Sequence, residues 1–273
     1  MRVNLVMASA GCILAPNREG GGRSVSEGIY EGYARVYDRS GQRAFSVRMV
    51  PYVERLLGGR GVEAASLADV ACGTGTFALA MAAKGWDVVG VDASGAMLAQ
   101  ARAKAENQGA DVRWLQQDMR ELRLGREVSV ITCLYDSLNY MLTSGDLVAA
   151  FRAAYRNLWP DGWYLFDMNT AYAFATMWDG DTYVHDGPDL TVLISGAYDE
   201  YRQRVRATVT WFERRGSLWA KGSEEHVEQA YPLEHVAMHL QDAGFVVEEC
   251  YDCFTLQKPD DETTRILWMA RRP

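Results

Sequence analysis

The 273-residue chain contains no run of about 18 apolar residues, so no membrane-spanning helix is expected. It is poor in positive charge. Twenty-eight Lys and Arg face 36 Asp and Glu, a net charge of −8, and the basic residues are scattered. A broad nucleic-acid footprint needs clustered cations, so DNA and RNA are not expected partners. There are five cysteines, an odd number without close pairing, which argues against a secreted disulfide framework. Cys250 and Cys253 form a CxxC, but no second ligand pair accompanies them. A strand across Phe245–Leu256 would point the two to opposite faces, so ordinary packing is expected and no metal. His235 and His239 lack the glutamate of an HExxH zinc motif. No internal repeat is visible. With 48% hydrophobic and 23% charged residues, the composition excludes wholesale disorder, a collagen-like fibre and a disulfide-framed miniprotein.

Met1–Ala15 has an interrupted apolar stretch behind a single Arg2, and Asn17–Arg23 is Gly-rich and polar. The expectation is a loose extension or mis-assigned start over residues 1–23, not a working signal peptide, and a cytoplasmic protein. One domain over 24–273 would follow. Ser24–Leu57 reads as helix, opened by a Ser24/Glu27 capping box. Tyr30, Tyr33 and Tyr37 would then share one face, packing onto the core or covering a ligand. Strands are expected near Leu67–Ala71, Asp87–Val91, Val112–Leu115, Val128–Leu134 and Trp163–Met168. Helices fall between them at Thr76–Lys84, after Ser94, and at Leu147–Leu158. This alternation predicts βαβ units and a parallel sheet. From about 178 to 230 the pattern becomes antiparallel, a β-rich insertion. A helix over Pro232–Ala243, with Leu233, Ala237, Leu240 and Gly244 on its apolar face, precedes two closing strands.

Most of the chemical information lies in Asp69-Val70-Ala71-Cys72-Gly73-Thr74-Gly75-Thr76-Phe77-Ala78. Gly73-x-Gly75-x-x-Ala78 satisfies the dinucleotide fingerprint, where glycine lets the backbone turn and approach a ligand. Asp92 ends the next strand, placed to accept from ribose hydroxyls. Three details separate the cofactors. Asp69 sits inside the first strand, where pyrophosphate gains nothing from an acid but a cationic amino-acid moiety does. Asp118 follows the third strand, beside Met119, placed to accept from an exocyclic adenine amine. No Lys or Arg stands in the glycine loop, and no Tyr-x-x-x-Lys pair supports an NAD-dependent oxidoreductase.

DVACGTG, VDAS at 91–94, the Gln116-Gln117-Asp118-Met119 segment and LWPDGWYLFD at 158–167 together resemble the class I S-adenosylmethionine-dependent methyltransferases. HLQDAGFVVEECYDCF and ILWMARRP are similar to that fold's last two strands. Asp161-Gly162 stands where the family often has two glycines. The resemblance implies a doubly wound, Rossmann-like seven-stranded sheet with its last strand antiparallel, an N-terminal helical lid and the insertion after the fifth strand. By matching position, Asp69 and Gly73 to Gly75 would hold the methionine part, Asp92 the ribose, and Asp118 and Met119 the adenine. Ala71, Ala93, Met97 and Leu134, with Tyr33 and Tyr37 of the lid, complete the expected cofactor-binding set. The cofactor would be S-adenosyl-L-methionine and the product S-adenosyl-L-homocysteine.

The end of the fourth strand, Cys133-Leu134-Tyr135-Asp136-Ser137-Leu138-Asn139-Tyr140, would face the methyl group. It lacks the (Asp/Asn)-Pro-Pro-(Tyr/Phe) pattern used on base or amide nitrogens. Tyr135, Asp136 and Asn139 are candidate catalytic residues, with helix capping as the other role for Asp136 or Ser137. His226, near the end of the insertion, is a candidate base, or simply an exposed histidine. The insertion also resembles that of bacterial sugar-amine N-methyltransferases. The expected activity is methyl transfer to an amine or hydroxyl of a small molecule by a monomer or homodimer. A methyltransferase acting on RNA or protein, and a non-catalytic cofactor-binding protein, are the alternatives.

Overall fold

The computed structural model describes residues 28–273. The expected extension over 1–23 and the Ser24/Glu27 capping box lie outside the described residues.

Seven strands form the main sheet: β1 (Ser66–Val70), β2 (Asp87–Asp92), β3 (Arg113–Gln116), β4 (Val128–Cys133), β5 (Leu158–Asn169), β10 (Val246–Asp252) and β11 (Arg265–Arg271). Their order is β10-β11-β5-β4-β1-β2-β3, and β11 runs antiparallel to both its neighbours. The strands read as near-continuous apolar runs because helices cover both faces. Alternate residues split between two layers. Leu67, Val88, Val130, Leu165 and Leu267 pack under α2 (Arg43–Gly58) and α3 (Thr76–Ala82). Ala68, Val89, Ile131, Phe166 and Trp268 pack under α5 (Ser144–Asn157) and α7 (Leu233–Asp242). Each fully buried Leu or Phe in these layers contributes roughly 1.5–3 kcal/mol. α4 (Gly95–Gln108) follows β2. Strand order reverses between β1 and β4, and ligands of such sheets bind at the carboxyl ends of the strands at that point.

The expected single helix from Ser24 to Leu57 is broken within the described residues. The segment folds as α1 (Ala34–Tyr37), a 3-10 turn at Asp38–Ser40, and then α2. Gly41, at φ 87°, takes the left-handed conformation that ends the first piece. In α7 the apolar face is turned from the expected one: Val236 and Leu240 are buried and Leu233 is exposed. The CxxC is not within one strand, since β10 ends at Asp252 and Cys253 opens the following turn.

Between a short α6 (Ala171–Ala173) with its π-helical turn (Phe174–Trp178) and α7 lies a second, four-stranded antiparallel sheet. Its order is β6 (Thr182–Asp186), β7 (Leu190–Asp199), β8 (Arg204–Arg215) and β9 (Leu218–Gln229). β6 carries no alternation strong enough to have been expected. Tyr33 and Val36 pack on Leu190, Val192, Val209 and Trp211 of this sheet, a cluster separate from both main layers. The lid therefore belongs physically to the insertion.

The two parts meet at a buried polar hub. Tyr135 and Asp136, just past β4, hold consecutive left-handed conformations at φ 63° and 52°. Non-glycine residues pay roughly 1–2 kcal/mol each for that geometry. Asp167 on β5 compensates by accepting from both backbone N–H groups, Tyr135 at 2.7 Å and Asp136 at 3.1 Å. Arg265 on β11 pairs with Asp167 and, at 3.0 Å, with Asp136. Its guanidinium lies over the Phe45 and Tyr135 rings, 4.7 and 5.4 Å from their centroids. Asn169 donates to Asp136 at 2.6 Å, and Asn139 bonds the Asn169 and Gln229 carbonyls.

Removing one partner of a buried ion pair leaves an uncompensated charge. Arg265→Met is expected to lower stability by about 3–5 kcal/mol, measured by urea unfolding at neutral pH. A change within about 0.5 kcal/mol would show that the hub is solvated and the turn held otherwise.

Candidate active site

The glycine turn leaves β1 with Ala71 at φ 57° and Gly73 at φ 54°, and enters α3 through Gly75 at φ 75°. A Cβ on Gly73 would meet open space, so the backbone there borders a free volume. A Cβ on Gly75 would lie 2.6 Å from the Trp114 ring and 2.9 Å from the Ala101 Cβ. Gly75 thus serves the seating of the turn against its neighbours.

Asp92 stabilises the turn from the end of β2, accepting from the Gly73 N–H at 2.7 Å and the Ser94 N–H at 2.8 Å. Burial pushes its carboxyl above the usual range, against these backbone hydrogen bonds. Ser94 caps α4 by accepting from the Met97 N–H, and its hydroxyl donates to the Tyr30 carbonyl at 3.3 Å. Asp69, paired in β1 between Gly90 and Thr132, is buried and accepts from the Thr132 hydroxyl at 2.9 Å. Burial pushes its pKa up to about 7, with the Thr132 hydrogen bond opposing and Asp92 reinforcing the rise. Asp118 is bound by Arg120, which holds its carboxyl below the ordinary value and bridges on to Asp146.

These groups line a cavity of about 540 Å³, within the usual range for a small-ligand site. Asp69, Asp92 and Asp118 come to it from the ends of β1, β2 and β3. Met97, Met119, Phe77 and Leu134 supply apolar wall, and Ala71, Gly73, Ala93 and Tyr37 border it as well. Arg120 is the one basic side chain among the described lining residues, and its charge is already paired. These acceptors fit S-adenosylmethionine, whose ammonium group, ribose diol and exocyclic amine are all donors that a carboxylate can receive. They do not fit a pyrophosphate, which would meet several acids and no free cation.

A second chamber of about 70 Å³ shares Tyr30, Tyr37, Tyr135 and Tyr140 as walls with the first. One water needs roughly 10–15 Å³ measured this way, so the chamber admits a small polar group. Tyr33, Asp136, Trp178, Ile194, His226 and Glu228 line its other sides. The structure therefore divides the residues singled out in the sequence. Tyr33, Asp136 and His226 lie at the second chamber and outside the first, while Tyr135 borders both. Gly75 and Asn139 line neither, Asn139 being a buried tie between β5 and β9.

His226 is buried, and its Nδ1 lies 3.0 Å from the Tyr140 hydroxyl, which in turn lies 2.8 Å from that of Tyr30. Its Nε2 faces Glu224 Oε2 at 3.5 Å. Sequence reasoning passed over Glu224 and Glu228. Period-2 alternation along β9 puts Glu224, His226 and Glu228 on one face, and acids on the inward side of a strand were the available signal. Glu224 accepts from the backbone N–H groups of Tyr30 at 2.8 Å, Gly32 at 2.7 Å and Tyr33 at 2.9 Å. It is the clasp that fastens the lid to the insertion. On the other side Asp38 pairs with Lys104 at 2.7 Å and accepts from Thr74 at 2.6 Å, fastening the lid to the glycine turn. Among the described residues no cluster of His, Cys, Asp or Glu could hold a metal, and no helix is long and apolar enough to cross a membrane.

Comparison with known proteins agrees with this geometry. Residues 67–162 match the model of a methyltransferase domain family. A Geobacillus sp. (strain WCH70) protein named as a methyltransferase is 30% identical over 245 residues, covering 89% of this chain and 99% of that one. The N,N-dimethyltransferase of Streptomyces venezuelae named for dTDP-3-amino-3,4,6-trideoxy-α-D-glucopyranose is 37% identical over 107 residues, 39% of this chain and 44% of its own. A crystal structure of an S-adenosylmethionine-dependent methyltransferase from Clostridium acetobutylicum superposes with a TM-score of 0.79 at 25% identity, covering 89% of this chain and 99% of the other.

Two outcomes follow from the carboxylates. Only ionised Asp69 attracts an ammonium, and a free amino-acid amine stays charged below about pH 7.7. Cofactor affinity is therefore expected to fall as pH drops below 7, by up to about tenfold per unit, in calorimetric titrations. Asp69→Asn should be weaker and flat over the same window, and a pH-independent unmodified protein would refute the role.

The Glu224 carboxyl is shifted in the opposite direction, though its contribution too is lost as pH falls. Burial would raise its pKa, but His226 and the N–H groups of Tyr33, Tyr30 and Gly32 outweigh it and lower it. The clasp is then at full strength above the free glutamate value of about 4.3 and is lost as pH falls through the lower folded value. Glu224→Ala is expected to speed amide exchange at Tyr30, Gly32 and Tyr33 by about a hundredfold. Unaltered exchange would mean that Tyr33 and Val36 hold the lid by packing alone.

Proposed function

The chain belongs to the class I S-adenosylmethionine-dependent methyltransferases, and from that membership we propose that it methylates a nitrogen or oxygen of a small molecule. The observation that carries the reading is the small chamber of about 70 Å³ beyond the cofactor cavity, lined by tyrosines and acids. A nucleic-acid enzyme needs an open, basic approach to the same place. The relatives named as amino-sugar N,N-dimethyltransferases support the same reading over a match of 39% of this chain.

When bound, the cofactor supplies an electrophilic methyl group on a sulfonium, displaced in line by the acceptor. In this reading Asp69, Gly73 and Tyr37 hold its amino-acid end. Asp92 and Ala93 take the ribose, and Asp118, Met119 and Met97 the adenine. Ala71 and Leu134 close the wall between. The leaving thioether is neutral, so the chain's task is alignment and exclusion of water, not acid assistance. The Tyr30–Tyr37 segment closes over the cavity, and the insertion sheet roofs the acceptor end. Tyr135 stands between the two compartments. Asp136 and Asn139 act by holding that turn and by joining it to β9.

The test is methyl transfer from labelled S-adenosylmethionine to separate pools of small molecules, RNA and protein. The small-molecule pool should include nucleotide-linked amino sugars and their hydroxyl counterparts. Label is expected in that pool, with mass spectrometry locating the methyl. Label confined to RNA or protein would overturn the proposal while leaving the family assignment intact.

A further inference from the structure

Two titratable groups from β9 enter the acceptor chamber, and they differ in how they are engaged. His226 pairs through Nδ1 with the Tyr140 hydroxyl at 3.0 Å, while its Nε2 makes no hydrogen bond and faces the clasp carboxylate of Glu224 at 3.5 Å. Glu228 is 4% exposed, lines the chamber, and its Oε2 has no hydrogen-bond partner. A buried carboxylate oxygen without a partner is costly, and its persistence in a polar chamber is a sign that a ligand completes it. The chamber walls are the rings of Tyr30, Tyr37, Tyr140 and Trp178, with Asp136 beside Glu228. Aromatic faces next to carboxylates attract cations and repel anions.

We propose that Glu228 is the catalytic base for a basic amine acceptor, pairing with the acceptor nitrogen in this chamber and removing its proton. This rests on the small-molecule methyltransferase reading and narrows it to amines. In the step, the acceptor enters as neutral R2NH, its lone pair forms the N–C bond as the C–S bond of the sulfonium breaks with sulfur keeping that electron pair, and the positive charge passes to the nitrogen as a methylated aminium. The N–H proton passes to Glu228 Oε2. A tertiary amine, a neutral thioether and a protonated Glu228 result, and charge balances.

The surroundings suit this role. Burial raises the affinity of Glu228 for a proton, Asp136 adds to it, and Arg265 and Asn169 oppose it. The other titratable groups facing the chamber are Tyr30, Tyr33 and Tyr37 from the lid, Tyr135 and Tyr140 after β4, and His226 on β9. A base of raised pKa matches the proton of an aminium near neutral pH better than an ordinary carboxylate does. A hydroxyl acceptor would gain nothing from the aromatic walls, since it develops no lasting positive charge.

The test uses the full chain saturated with S-adenosylhomocysteine and a matched pair of probes, choline and its neutral carbon isostere 3,3-dimethylbutan-1-ol. Affinities are read by saturation-transfer NMR between pH 6 and 9. Choline is expected to bind about tenfold more tightly than the isostere, and more tightly as pH rises and ionises Glu228. Glu228→Gln should abolish both the preference and the pH dependence and leave S-adenosylhomocysteine affinity within about twofold. If Glu228→Gln does not fold, Ile194→Lys places a cation at the chamber wall and should weaken choline about tenfold. Equal binding of the two probes, absence of choline binding, or choline binding unaffected by either variant would overturn the proposal. Failure of the unmodified protein to bind S-adenosylhomocysteine would overturn the cofactor reading beneath it, a result distinguishable from the others.

Discussion

A single guanidinium organises the meeting of the protein's two parts. Arg265 rises from β11, the one strand that runs against the rest of the main sheet, and neutralises Asp167 and Asp136. Asp167 in turn accepts from the two backbone N–H groups of the left-handed turn after β4. Without that positive charge, two buried carboxylates would repel each other beneath a turn that already carries backbone strain. The flat side of the same guanidinium covers the Phe45 ring of α2, so that helix rests on it as well. One interaction thus fixes the exit of β4, the height of Tyr135 and the seat of α2.

The interior built on this hub is acidic in a graded way. Asp69 and Asp92 sit at the centre of the sheet, each held by hydrogen bonds and not by a cation. Asp118 at the rim is paired with Arg120. On the insertion side, Glu224 spends its oxygens on backbone N–H groups. Glu228 keeps one oxygen unengaged. The same residue type therefore does four different jobs, separated by what each oxygen already accepts. A positively charged sulfonium belongs in such surroundings, and a phosphate does not.

Much of the cofactor cavity was legible in the sequence because its parts are local. Asp69, Gly73 and Asp92 follow one another within a single βαβ unit, where strand pattern and turn glycines give position directly. The helix break was less visible: Gly41 looks like one tolerable glycine in a helical stretch, and only its left-handed conformation ends the 3-10 turn that separates α1 from α2. The acceptor chamber was hardly visible at all. Arg265 and Asp136 are 129 positions apart, and nothing in either neighbourhood announces the other. Glu228 lies two residues past His226 on the same face of β9, and a carboxylate in a run of Glu and Gln reads as solvent-facing until the strand's partners are known. The left-handed pair Tyr135–Asp136 carries no glycine to betray it. Asn139 was picked for its polarity at a strand end, and its amide is consumed in tying carbonyls together.

The clasp between Glu224 and the lid spans 194 positions in the chain. Translation therefore delivers Tyr30, Tyr33 and Tyr37 long before the carboxylate that receives them. The lid must wait for β7, β8 and β9 to pair before it has its partners. During that interval the three tyrosines have no apolar surface of their own to cover, since their partners Leu190, Val192 and Trp211 are not yet assembled. The fastening of the lid is consequently a contact that cannot form before β9 exists, although the lid itself is made early.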